Sequence, residues 1–336
     1  MPRAFKRTAD GSIASVAATS NRESCRNVQR RPPALRCGTH VGGMRTYPCA
    51  STILKRMSHT TENQRGVLAH YIGREQLGVF ASWTASGARL GVARVAVGAD
   101  DTLQLFVEDC LDVEAGQAVT IHLDNRTGVE EYDADLKVYR SSYKGRITRV
   151  SPGRMTVEPE HFELIYGVAP AAVWSAPGYE HPPIGETADA ILPGDPVPPF
   201  DAAPEDAYNR VGVLITSAPV RPHTTLMAFH AMIEDRIFIV TWRGSLKYRL
   251  LRRDARCWFA IDNRNTFTFE KHPKFNYTII ETRARRIADD HPRHDEVVRR
   301  FLEKSPFEQG FFLHPEAVLL YLEPVKVVHP TLYPAW

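Results

Sequence analysis

A two-residue alternation of apolar and polar side chains, broken at short intervals by Gly, Asp, Asn or Pro, most constrains what this chain can fold into. It runs through Gly91-Val-Ala-Arg-Val-Ala-Val, Thr102-Leu-Gln-Leu-Phe-Val, Gln117-Ala-Val-Thr-Ile-His-Leu, Tyr143-Lys-Gly-Arg-Ile-Thr-Arg-Val and Arg154-Met-Thr-Val-Glu-Pro. Successive side chains of an extended backbone point to opposite faces, so each run reads as a strand with one buried face. Five such strands predict a small β-barrel within residues 57–167. A helix is expected before them over residues 61–72, where Val67, Leu68, Tyr71 and Ile72 share a face behind a capping Thr. The acidic stretch 124–135 lacks the rhythm and central Gly of a calcium loop, and reads as a solvated hairpin.

Charge is unevenly placed. Residues 1–56 hold 11 of the 42 Lys and Arg but 2 of the 39 acids, a local excess of +9. The remaining 31 basic and 37 acidic residues give the body −6, which argues against a fold that grips nucleic acid through overall charge. No apolar run approaches the roughly 18 residues of a membrane-spanning helix. Cys25, Cys37 and Cys49 form no Cys-x-x-Cys pair, so zinc is not expected. Cys110 and Cys257 lie in apolar strand contexts and read as small buried hydrophobes, which fits a reducing cytoplasm.

The basic head is read as a disordered leader. Met57 opens a polar lead into the patterned region, so residues 1–56 are expected to lie upstream of the true start; a transit peptide and a disordered basic tail are the alternatives. Nine prolines between 168 and 204 deny that stretch a regular helix or central strand, and residues 168–205 are expected to form a stiff linker.

Residues 206–336 make the second module. Arg210-Val-Gly-Val-Leu-Ile-Thr-Ser-Ala reads as a strand, Pro219-Val-Arg-Pro-His as a turn, Thr224-Thr-Leu-Met-Ala-Phe-His-Ala-Met as the returning strand and Ile237-Phe-Ile-Val-Thr-Trp as a third. Arg243-Gly-Ser-Leu-Lys then feeds a helix at residues 248–253. Strands follow at Cys257-Trp-Phe-Ala-Ile-Asp, at 276–287 and at 317–328, with a helix over 295–304 whose Val297, Val298, Phe301 and Leu302 form one stripe. Six antiparallel strands in a meander, with two short helices inserted, predict a barrel. The expected class is therefore mainly β, with two antiparallel β-barrel modules.

The Gly-Ser-x-Lys loop carries the clearest chemistry. Gly244 lets backbone N–H groups approach an anion, Ser245 adds a hydroxyl, and Lys247 adds a point charge at a helix start, all of which favour phosphate. Alone, the tetrapeptide reads more readily as a solvated loop than as an anion site; the strand order around it reverses that preference.

That order, with the core Ile237-Phe-Ile-Val-Thr-Trp-Arg-Gly-Ser-Leu-Lys-Tyr-Arg-Leu-Leu-Arg-Arg-Asp-Ala-Arg, resembles the pyridoxamine 5′-phosphate oxidase-like FMN-binding split β-barrel family over residues 209–330. The resemblance implies that Thr241, Ser245 and Lys247 hold the FMN phosphate, with Trp242 and Arg243 nearby. It places Thr224, Thr225 and Leu226 along the isoalloxazine, His223 where relatives often carry Arg, and Asn276 where it reaches the flavin across a homodimer interface. Ala228 or Phe229 stands where the oxidase has a second basic residue. The oxidase's final Trp and Arg have no counterpart after Pro324-Val-Lys-Val-Val, so vitamin B6 oxidation is not implied. The resemblance implies an FMN-dependent oxidoreductase of a small organic substrate, with haem and deazaflavin as the alternative cofactors; the expected cytoplasmic location and the absence of a membrane or nucleic-acid partner rest on the cysteines, the apolar runs and the charge. The alternative function is a non-catalytic regulatory protein that binds flavin, haem or nucleotide.

No catalytic side chain announces itself, because a flavin carries the redox step. Candidates for substrate contact are His230, Arg264, Asn265, Lys271, His272 and Lys274, with Phe267, Phe269, Phe275 and Tyr277 as stacking or core aromatics. His291 and His294 read as capping the helix that follows. Gly116-Gln-Ala-Val-Thr-Ile and the Tyr143 run also resemble the barrel preceding the PilZ domain of flagellar brake proteins, but the PilZ signature itself is not complete.

Overall fold

The computed structural model describes residues 61–62, 64–107, 112–126, 138–185, 189–196, 201–202, 210–232, 236–262 and 276–332, all within the unit Pro48–Trp336. It opens with β1 (Thr61–Glu62) and the short helix α1 (Leu68–Tyr71). Six strands follow: β2 (Glu75–Thr84), β3 (Gly87–Val97), β4 (Leu103–Phe106), β5 (Ala118–Asp124), β6 (Tyr139–Ser151) and β7 (Arg154–Tyr166). Their pairing order β7-β4-β3-β2-β5-β6 returns to β7, so the sheet closes as a barrel and leaves none of these six as an open edge. Phe80, Leu105, Ile121, Tyr143 and Phe162 fill the interior.

Two expectations change here. The helix over 61–72 shrinks to one turn, its entry held by the Asp101 carboxylate, which accepts from Leu68 N at 2.9 Å. Strand β2 carries no polar alternation to reveal it, because its central residues are buried on both sides.

The proline-rich segment does not start as a linker. Ala169–Ser175 form β8, which pairs antiparallel with β7, and Leu192–Pro193 form β9, which pairs with a strand of the second module. The second sheet comprises β10 (Val211–Thr216), β11 (His223–Ala228), β12 (His230–Met232), β13 (Arg236–Trp242), β14 (Arg256–Asp262), β15 (Asn276–Arg286) and β16 (Ala317–Leu332). Helices α2 (Leu246–Arg253), α3 (His294–Lys304) and α4 (Gln309–Phe312) are inserted, with a 3-10 turn at Pro306–Glu308 before α4.

The order β11-β10-β14-β15-β16-β13-β12 is not the expected meander, and it forms a curled half-barrel rather than a closed one. Strands β11 and β12 lie at opposite ends of that order yet are separated in the chain by Phe229 alone. A sheet whose two ends are tied by one residue must curl, and Phe229, Ile239, Phe259 and Leu320 fill the hollow.

The two sheets share a third apolar layer. Leu77, Val79, Leu90 and Val92 from β2 and β3 pack with Val213, Ile215, Leu226, Trp258 and Ile279 of the half-barrel. Trp83 Nε1 donates to Ala218 O at 2.8 Å across the same junction. Where the barrel bends, a bulge falls between Lys144 and Gly145. A Cβ on Gly145 would lie 2.5 Å from Glu158 O and 2.5 Å from Val157 Cγ1. Gly145→Ala is therefore expected to lower stability by about 1 to 3 kcal/mol, read as a reduced denaturation midpoint; an unchanged midpoint would contradict this packing.

Candidate functional site

The turn after β13 is built by its own hydroxyls. Ser245 N and Oγ both donate to Trp242 O, at 3.0 and 2.8 Å. Ser245 Oγ also accepts from Tyr248 N at 3.3 Å, which makes Ser245 the N-cap of α2. Thr241 Oγ1 lies 3.0 Å from Ser245 Oγ, and since the serine proton is already engaged, Thr241 is the donor. The Ser245 hydroxyl expected to hold phosphate is thus committed to capping. What α2 leaves unspent are the N–H groups of Leu246 and Lys247, which have no intrahelical acceptor, and the Lys247 ammonium, which has no carboxylate within ion-pair distance among the described residues. Arg243 is exposed, with its N–H on Glu316 O at 3.0 Å. Trp242 stacks on His314 and Phe311, with ring centroids 4.5 and 5.4 Å apart.

The opposite wall comes from the first barrel. Thr120, His122 and Asp124 on β5, and Arg140, Ser142 and Lys144 on β6, occupy alternate positions in register, so both rows face outward while Ile121, Leu123 and Tyr143 fill the barrel. The rows are covered by β11 and the turn before it. Thr120 Oγ1 donates to Pro222 O at 2.5 Å, and Ser142 Oγ lies 2.9 Å from Thr224 Oγ1. Arg221 donates to Gly145 O at 2.8 Å and pairs with Glu160. Asp124, expected on a solvated hairpin, is instead buried, 3.1 Å from His122 Nε2 and 3.0 Å from Arg126 Nε.

Positive charge dominates this junction. Burial brings the Lys247 ammonium down to about 8, helped by the Arg140 guanidinium and opposed by Glu308. Burial, reinforced by Arg221, brings Lys144 to about 8 as well. Arg140 falls to about 10, again chiefly through burial, and its Nη1 has no hydrogen-bond partner. His223 is held well below the ordinary imidazole range by burial first, then by the charges of Lys144 and Lys247. Its Nε2 lies 3.1 Å from Thr225 Oγ1, and its Nδ1 is buried without a partner. Each cation is destabilised by desolvation, and a bound anion would offset that cost.

Of the residues expected at the site, Thr241, Ser245, Lys247, His223, Thr224 and Thr225 converge on this junction. Leu226 belongs to the apolar layer between the sheets. Asn276 begins β15 opposite Leu332, with its side chain outside the described residues. His230 is buried and edge-on to Phe301 of α3, at 6.4 Å. The expected cap of α3 differs: Arg293 is the N-cap residue, with its guanidinium on Glu296 rather than on the helix N–H groups, while His291 Nδ1 accepts from Arg293 N at 3.1 Å. Arg264, Asn265, Phe267, Phe269, Lys271, His272, Lys274, Phe275 and the Tyr277 side chain lie outside the described residues. Sequence reading missed Arg140, Lys144, His122 and Glu308, since a polar phase on a strand ordinarily signals solvent.

A closed barrel joined to a curled half-barrel, with a cationic junction between them, defines a mainly β protein. No family model matches the chain, and no curated protein matches it. Its similarity to solved structures is to pyridoxamine 5′-phosphate oxidase-like split-barrel proteins, over about 36% of the chain. They include the heme storage protein HutZ from Vibrio cholerae, at 16% identity, 35% of this chain, 83% of that one and TM-score 0.31. A putative pyridoxamine 5′-phosphate oxidase from Listeria innocua is 18% identical over 35% of this chain and 86% of its own, with TM-score 0.26. An FAD-binding protein from Mesorhizobium loti is 15% identical over 36% and 83%, with TM-score 0.28.

Glu308 gives the junction a pH signature. It is 4% exposed, and burial pushes its carboxyl up to about 7 against the pull of Lys247 and Arg140. Unfolded, the same group titrates near its ordinary 4.5. Between those values the folded state holds the extra proton, so this group's contribution to stability falls as pH rises. The depressed histidines give an opposite slope in wild type and variant alike. Glu308→Gln is therefore expected to gain stability over wild type, by on the order of a few kcal/mol, between about pH 5 and 7.5. Urea denaturation at both pH values checks this; equal slopes would contradict it.

Proposed function

We propose that this chain is a flavin-binding protein that seats the FMN phosphate on the first turn of α2 and acts as an oxidoreductase on a small organic substrate. The carrying observation is the pairing of the unpaired Lys247 ammonium with the free N–H groups of Leu246 and Lys247, in a junction where Arg140 Nη1 and His223 Nδ1 are buried without partners. Those donors fit a phosphate: they are fixed in place, largely dry and uncompensated by contacting acids. Lys247 would bind the phosphate, Ser245 and Thr241 would keep the turn in shape, and β11 would present main-chain groups to the ring. A bound flavin supplies hydride or single-electron transfer, and the protein orients it and excludes water.

A second reading as a haem-binding protein is favoured by one feature. His223 is held neutral with a ring nitrogen unengaged, the form in which imidazole ligates iron. The absorption spectrum of the purified chain separates the two: flavin bands that bleach with a nicotinamide donor support the first reading, and a Soret band supports the second.

Lys247→Ala is expected to weaken FMN binding by about 10- to 100-fold, the range of a lost charge-assisted contact. Riboflavin, which lacks the phosphate, should lose less than about 3-fold. FMN affinity should also fall as pH rises above the lysine's value of about 8. Flavin fluorescence titration measures all three, and equal losses for FMN and riboflavin would sink the phosphate assignment.

A further inference from the structure

Lys144 stands on the outward row of β6 between Thr120 of β5 and His161 of β7, its register partners on the two neighbouring strands. The adjacent Tyr143 and Phe162 stack inside the barrel, so Lys144 and His161 share the outer face. A turn closed by Tyr179 N on Ala176 O folds the chain back over that face. It lays the Tyr179 ring parallel to His161, with centroids 4.9 Å apart, and sets His181 edge-on to both rings, at 4.6 and 5.3 Å. Lys144 is left 8% exposed.

Its Nζ donates to Ser142 O and to Ser142 Oγ, both at 3.1 Å, and has no carboxylate within ion-pair distance among the described residues. Two acceptors satisfy both N–H groups of a neutral amine and leave its lone pair unblocked, whereas an ammonium keeps a hydrogen and a full charge without a partner. Arg221 adds to that pressure. One of its nitrogens donates to the carbonyl of Gly145, the next residue, at 2.8 Å, and another pairs with Glu160, which Arg146 also holds. Glu163, further along β7, acts on Lys144 in the opposite sense, but burial and Arg221 prevail. Burial also keeps the His161 imidazole uncharged, down to about 3. The Tyr179 hydroxyl of the same cluster is buried without a hydrogen-bond partner. A desolvated lysine beside a second cation is the setting that makes an amine nucleophilic.

We propose that Lys144 is a nucleophilic amine that captures a small aldehyde or ketone as a Schiff base, with the unengaged Tyr179 hydroxyl donating to the carbonyl oxygen. The Nζ lone pair attacks the carbonyl carbon and forms the C–N bond. Both Nζ protons pass to the carbonyl oxygen, which leaves as water, so the imine forms without an oxidant or a reductant. The reaction needs no flavin.

The test uses the full chain, with propanal as the probe, cyanoborohydride to trap the imine, and peptide mass spectrometry to read the rate at each lysine. At about pH 7.5 Lys144 is expected to be modified at least about 10-fold faster than Lys326, an exposed amine 3.6 Å from Glu281. The ratio of the two rates should shrink toward about pH 10, where an ordinary lysine also loses its proton. Unfolding in urea should bring the two sites level. A Lys144 rate no faster than that of Lys326, a ratio independent of pH, or a preference that survives unfolding would overturn the inference. Tyr179→Phe is expected to slow Lys144 about 3- to 10-fold and to leave Lys326 unaltered; an unaltered Lys144 rate would remove the hydroxyl from the site.

Discussion

The apolar layer between the two sheets is the contact on which the rest depends. Leu77, Val79 and Val92 on one side and Val213, Ile215 and Trp258 on the other are buried only because the barrel and the half-barrel meet. Burial of such side chains contributes roughly 1.5 to 3 kcal/mol each, which is enough to hold a junction that also buries charge. Strands β2 and β10 are consequently lined on both faces and work as central strands of a stacked assembly. With that layer in place, the neighbouring strands β5 and β6 are carried under β11, and their polar rows lose contact with water.

The cationic junction follows from this placement. Arg140, Lys144 and Lys247 are held where they are because the elements bearing them are fixed by the apolar layer, in spite of the burial that depresses each of them, to which Arg221 adds at Lys144 and Arg140 at Lys247. Glu308 acts on Arg140 and Lys247 without contacting either within ion-pair distance, and keeps its own proton to about neutral pH. Such an interior is stabilised by whatever anion enters it. Affinity and stability are therefore linked in this protein, and a ligand that binds the folded state alone raises both.

Much of the fold was legible in the residues. Most strands of the half-barrel fall where alternation and turn residues put them, but the single strand expected over 224–232 divides at Phe229 into β11 and β12 at opposite ends of the sheet, and α2 starts two residues before the expected position because Ser245 caps it. What alternation misses is a strand with two buried faces, as in Glu75–Thr84, and a turn of helix stabilised by a distant carboxylate, as at Asp101. The site divides in the same way. Lys247 was visible because Gly, Ser and Lys cluster at a helix start. Lys144, Arg140 and His122 were not, because a strand's polar phase says nothing about what will cover it. The neutrality of the His223 imidazole was not legible either, because it comes from burial and from two lysines distant in sequence.

The phosphorus-31 resonance of FMN bound to the full chain tests the central claim most directly. Free phosphate monoester titrates near about pH 6. On the first turn of α2, beside the Lys247 ammonium, the phosphate is expected to remain dianionic, with a resonance that does not move between about pH 5 and 8. A bound resonance that titrates like the free ligand would place the phosphate in water and contradict the account.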